Sequence, residues 1–170
     1  MIAFHTADIK LSLRNSIAHK KFIAQQVKAY INKRDKKPAS RFRLNLSFIF
    51  CTDEYLLNIN RQFLNHDYYT DIITFPLENS PQGIEAEIYI SIDRVLDNST
   101  KYGSAIKKAV KVATRPLSFD TEAFNNELDR VIFHGVLHLL GYKDKTTPQK
   151  AEMRKMEDKW LREFHKFLKG

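Results

Sequence analysis

Two periods of apolar residues run through the chain. From Ser16 to Lys33 the apolar positions Ile17, Phe22, Ile23, Val27, Tyr30 and Ile31 recur at helical spacing, with Lys20, Lys21, Lys28 and Lys33 on the other side. From Arg41 to Cys51 the period changes to alternation, with Phe42, Leu44, Leu46, Phe48 and Phe50 against polar partners, which predicts a strand with one buried face. Ile84 to Ser91 alternates in the same way through Ala86, Ile88 and Ile90. The stretch from Ile2 to Leu13 predicts an edge strand and a turn. Asp71 to Phe75 predicts a strand ended by Pro76, followed by a turn over residues 78–83.

Four further helices follow from their caps and periods. Thr52 is a good N-cap, and Asp53 and Glu54 suit a first turn, so a helix is predicted to about Leu64, broken by Asn65, His66 and Asp67. Ile92 to Tyr102 reads as a helix ending at Gly103. Ala105 to Ala113 reads as a helical continuation that Arg115 and Pro116 interrupt. From about Asn125 a helix carries Leu128, Val131, Ile132, Val136 and Leu139. It is apolar nearly all round and is therefore expected at the centre of the molecule. Thr147-Pro148 is expected to open the last helix as cap and N1 proline, with Met153, Met156, Trp160, Phe164 and Phe167 as its core stripe. The expected fold is a single α+β domain over residues 1–170, a mixed sheet of about four strands with helices packed on it.

Composition narrows the function more than the fold. A chain of 170 residues is long enough for one sizeable core. Lys and Arg outnumber Asp and Glu by 28 to 20, a formal charge of +8. With a pI near 9.5 this favours a polyanionic partner, most simply RNA, although small lysine-rich domains are also often basic without one. Cys51 is the lone cysteine, which excludes an intrachain disulfide and fits a reducing cytosol. No apolar run has membrane length and no signal peptide opens the chain, so a cytoplasmic protein without membrane contact is expected.

Candidate chemistry concentrates in His134–Asp144, HGVLHLLGYKD. On a helix, His134 and His138 lie on one face about 6 Å apart along the axis, a separation at which two neutral imidazoles share one metal ion. Gly141 permits the left-handed turn that ends a helix, and Asp144 follows as a third donor. Two nitrogens, one oxygen and an open position make a catalytic rather than structural metal site. The spacing is that of the metzincin proteases, but their general-base Glu is Gly135 here. A zinc peptidase is thereby the weaker reading. His5, His19, His66 and His165 are read as surface residues. Arg130 either sits at the mouth of the metal site or pairs with Glu127.

The same residues, with Leu137, Leu139 and Tyr142, resemble the HGxLHLxGYDH signature of the YbeY family of metal-dependent bacterial endoribonucleases. That family places His where this chain has Asp144. Thr70, Asp71, Phe75 and Pro76 are similar to the family stretch ending TDVLSFP, and Glu87 stands at the carboxylate of its GD-I-x-I-S strand. The family's Arg in a YR pair is absent, since the pair here is Phe63-Leu64, and Arg61 is the substitute. The resemblance implies single-strand endoribonuclease activity in ribosomal RNA maturation and ribosome quality control. Its implied partners are ribosomal RNA and the small ribosomal subunit. It also implies one divalent ion on His134, His138 and Asp144, with zinc expected and iron or nickel as alternatives. Arg61, Asp71 and Glu87 are the implied catalytic residues. The competing reading is an assembly factor without catalysis, in which the metal only clamps the turn after Gly141.

Overall fold

The computed structural model describes residues 1–35, 42–80, 82–101 and 121–170. The expected helix over 105–113, its Arg115-Pro116 break and the helix end at Gly103 lie outside these residues. Nine elements follow in order: β1 (Ile2–Thr6), α1 (Ser16–Asp35), β2 (Arg43–Cys51), α2 (Asp53–Leu64), β3 (Ile72–Ser80), β4 (Gly83–Ser91), α3 (Ile92–Lys101), α4 (Glu122–Leu139) and α5 (Thr147–Phe167). The fold is α+β. Its sheet has the order β1-β2-β4-β3. β1, β2 and β4 are mutually parallel along the ladder, and β3 is antiparallel to β4.

Strand alternation divides the core in two. Leu46, Phe48 and Phe50 of β2 and Ile84, Ala86, Ile88 and Ile90 of β4 face α1, α4 and α5, where Phe22, Phe133, Trp160 and Phe164 complete a large aromatic and aliphatic core. The other face carries Cys51, Ile73, Phe75 and Tyr89, covered by Leu56, Tyr55 and Ile59 of α2. Burial pushes the Cys51 thiol up to about 12, helped by Asp8, Asp93 and Asp53, so it is an inert packed group.

Several element boundaries differ from the sequence expectation. β3 does not end at Pro76: it continues to Ser80, with a register shift between Pro76 and Glu78. A proline has no N–H for the ladder, and β3 tolerates it because it is an edge strand with a bulge at that point. Of the expected turn over 78–83, the strands take 78–80 and Gly83, and among the described residues Gln82 remains as turn. α4 begins at Glu122, capped by Thr121, whose hydroxyl accepts from the Phe124 N–H at 3.2 Å. The cap of α5 is Thr146 rather than Thr147. It forms a capping box with Gln149 and leaves Pro148 one position further inside the first turn.

His19 corrects a further expectation. It is not a surface residue but is 1% exposed, on the buried face of α1. Its ring lies 4.4 Å from that of Phe164, and its Nε2 lies 2.7 Å from Asp129 of α4. Among the described residues no helix is long and apolar enough to cross a membrane.

Candidate metal centre

α4 packs against β3, β4, α3 and α5, and most of its residues from Leu128 to Leu139 are buried. Gly135 makes that close approach possible. A Cβ there would stand 2.8 Å from Ile72 Cδ1 and 3.0 Å from Ile88 Cγ2. The glycine that takes the place of a protease base is thus a packing residue, and a glutamate side chain at this position would be driven into β3 and β4. The helix ends in a tight turn. Gly141 has φ of 96°, in the left-handed region, and its N–H donates to His138 O at 3.0 Å while Tyr142 N–H donates to Leu137 O at 3.1 Å. The turn returns Asp144 to the histidines.

Three donor atoms converge there. His134 Nε2 and His138 Nε2 are 2.9 Å apart, and Asp144 Oδ2 lies 3.7 Å from the first and 3.8 Å from the second. The point equidistant from all three is about 2.0 Å from each, the length of a zinc–nitrogen or zinc–oxygen bond. Hydrogen bonding at the far side of each ring sharpens this. His138 Nδ1 is 3.0 Å from the carbonyl of Tyr142, which only accepts, so Nδ1 carries the proton. His134 Nδ1 is 2.7 Å from Glu157 Oε1. Burial works to raise the Glu157 carboxyl, but the His134 hydrogen bond and the charges of Arg130, His134 and Arg154 outweigh it and hold it below the usual carboxylate range. Glu157 is therefore ionised and also only accepts. Where both rings are neutral, each turns an Nε2 lone pair toward the other and toward a carboxylate, an arrangement that one shared cation would satisfy. His134, His138 and Asp144 could hold one metal ion. Burial and the neighbouring His134 push His138 below its ordinary value, which keeps its lone pair free near neutral pH.

Glu157 is the site residue that sequence reasoning missed. It lies on α5, with its side chain 4% exposed, and also receives Arg130 and Arg154, each at 3.3 Å. Its signal was present: Met153, Glu157, Trp160 and Phe164 share one helical face, and a carboxylate on a core stripe demands a partner. Of its two expected places, Arg130 takes the pairing with Glu127; it is not on the cavity wall, and it also reaches Glu157, the partner of His134.

The expected catalytic residues separate. Asp71 stands with the three donors on the wall of a cavity of about 650 Å3, together with Asn79 and Lys145. Glu87 does not join them. It alternates with Ile88 along β4, so it faces the α2 side of the sheet, where it accepts from Tyr89 Oη at 3.0 Å. Arg61 is not on the cavity wall either; its Nε donates to Asp67 at 2.6 Å in an exposed pair.

Comparison with known proteins identifies the family. The family model described as Endoribonuclease YbeY matches residues 8–165. An Endoribonuclease YbeY of Cytophaga hutchinsonii is 46% identical over 133 residues, covering 78% of this chain and 80% of its own. Those of Christiangramia forsetii and Parabacteroides distasonis are 38% and 35% identical, covering 89% and 94% of this chain and 94% and 93% of their own. In fold, the chain is similar to the solution structure of TM1509 from Thermotoga maritima, at a TM-score of 0.51 and 20% identity over 96% of this chain and 89% of that one. With a family match across most of its length and relatives that share its full span, the chain belongs to the endoribonuclease YbeY family.

Proposed function

We propose that the protein is a metal-dependent endoribonuclease that cuts single-stranded RNA during ribosomal RNA maturation and ribosome quality control, in the cytoplasm and on the small ribosomal subunit. Family membership supports the endoribonuclease part. The metal dependence is supported by one observation: His134 Nε2, His138 Nε2 and Asp144 Oδ2 converge within reach of one ion. His134, His138 and Asp144 would hold the ion, with zinc favoured by the nitrogen-rich, three-ligand set. A divalent ion at such a position supplies Lewis-acid activation of a water or of a phosphate oxygen.

The remaining steps fall to side chains of this chain. Glu157 fixes the His134 tautomer and orients its ring. Lys145, on the cavity wall, provides a charge for a backbone phosphate, and the net charge of +8 draws RNA toward the surface. Asp71 is the carboxylate placed to take a proton within the cavity.

The test is elemental analysis of the purified protein beside a cleavage assay on structured RNA, before and after chelation. Stoichiometric metal and cleavage that vanishes and returns with it are expected. Tight RNA binding with no cleavage at any metal loading would replace this reading by a metal-clamped assembly factor. A 2′,3′-cyclic phosphate on the product would assign the attack to the RNA hydroxyl rather than to water.

A further inference from the structure

Beside the metal cavity, the chain between α2 and β3 is polar in sequence yet carries a cluster of half-exposed rings. Tyr68 is 57% exposed and His66 is exposed as well. Their rings are stacked, with centroids 5.1 Å apart and planes 24° from parallel, and Tyr68 Oη lies 3.1 Å from His66 Nδ1. Both residues line the same cavity as His134, His138 and Asp144.

The backbone beneath them is held firmly. Asn60, buried at 2% exposure, donates from Nδ2 to the Tyr68 carbonyl at 2.9 Å, and its own carbonyl receives the His66 N–H at 3.2 Å. Asn65 turns the chain between them with φ of 55°, the left-handed C-cap of α2. A buried amide and a helix cap thus fix two rings that contribute little to the core. The next residue behaves differently. Tyr69 is engaged on both sides, its hydroxyl donating to Glu54 at 2.5 Å and its ring face covered by Arg94 at 4.8 Å. Tyr68 has the stacked imidazole and an outward face.

We propose that the His66–Tyr68 stack is a base-binding platform that seats one unpaired nucleobase of the RNA beside the phosphate presented to the metal centre. This rests on the endoribonuclease reading above and assigns it a substrate contact. Unpaired bases stack on flat aromatic faces whatever their identity, so such a platform selects single strands over helices without reading sequence. Its position is what favours RNA over a peptide: ring, cavity wall and Lys145 are continuous, so base and phosphate of one strand are served together.

The experiment measures binding of a short fluorescein-labelled oligoadenylate, intact or with one abasic position moved along it, to the metal-loaded protein. In the parent, one abasic position is expected to weaken binding about ten-fold or more. Tyr68→Ala should weaken intact RNA by the same factor and be blind to that position. Tyr68→Phe, which keeps the ring, should bind like the parent. Tyr68→Trp adds an exposed indole to a chain whose one tryptophan, Trp160, is 3% exposed, and oligoadenylate should quench its emission. Parent-like binding by Tyr68→Ala, or independent losses from Tyr68→Ala and the abasic position, overturns the platform. Absence of cleavage by the parent would instead defeat the endoribonuclease reading, while the quenching of Tyr68→Trp would still decide the platform.

Discussion

α4 takes part in two histidine–carboxylate contacts, and the two are chemical opposites. Near its middle, Asp129 meets His19 of α1 at 2.7 Å, and the other His19 nitrogen lies 3.0 Å from the carbonyl of Asn15. Both ring nitrogens face acceptors, so a proton must lie between Nε2 and the carboxylate, and no lone pair is left over. Near its end, His134 and His138 turn Nδ1 toward Glu157 and the Tyr142 carbonyl, and turn Nε2 toward each other and toward Asp144. Proximity of histidine to carboxylate is common to both regions. What distinguishes a metal site is the direction in which the protons point.

The largest expected effect is at the ligands. His134→Ala or His138→Ala should remove stoichiometric zinc, because two ligands rarely hold it, and metal analysis after dialysis checks this. Full occupancy in either variant would erase the distinction between the two contacts. His19→Ala is the complementary break. It leaves Asp129 buried without its partner and should cost about 3–5 kcal/mol of stability in denaturant titration, with metal stoichiometry unchanged in the folded protein. Loss of metal without loss of stability would show that the two contacts are not independent.

Smaller effects sharpen the same contrast. Glu157→Ala frees the His134 tautomer and should lower zinc affinity about 10–100-fold in competition with a chelating dye. Asp144→Ala should also weaken binding, whereas Asp144→His should keep the ion. One negative charge then leaves the ligand set, and the alkaline-going limb of the pH–rate profile should move to lower pH. An unmoved limb would remove Asp144 from the ligand set.

The smallest effect is in pH. His138 is lowered in the fold, so its contribution is fully present above the unfolded value of about 6.5 and is lost as pH falls through the folded value. Without metal, the protein should lose stability progressively below about pH 6.5, and His138→Gln should flatten that slope in melts across pH. An equal slope in both proteins would place the acid sensitivity elsewhere.

Much of this architecture was written locally. Alternation named β2 and β4, and the HxxxH spacing with Gly141 and Asp144 named the donor set. Where the expectation failed, two elements had to be registered against each other. Glu87 was matched by its place in a motif, yet the period of the strand puts it on the far side of the sheet from α4. Arg61 stands in sequence as the substitute for the family's Arg, and the turn after α2 instead hands it Asp67. Pro76 looked like a strand end because a proline is excluded from a central strand; the sheet order makes β3 an edge.

By itself, the sequence determined what depends on neighbours along the chain: helix and strand periods, the Thr52 cap, the left-handed turn at Gly141 and the one-turn spacing of His134 and His138. Only the tertiary structure decided which partners the ring nitrogens meet. Glu157 reaches His134 from another helix, and His19 is buried because α1 crosses α4 at Asp129. Backbone periodicity is short-ranged and legible residue by residue. Hydrogen-bond partners between helices are set by packing of the whole core, and it is they that set two histidines facing each other beside Asp144 and a third against the buried Asp129.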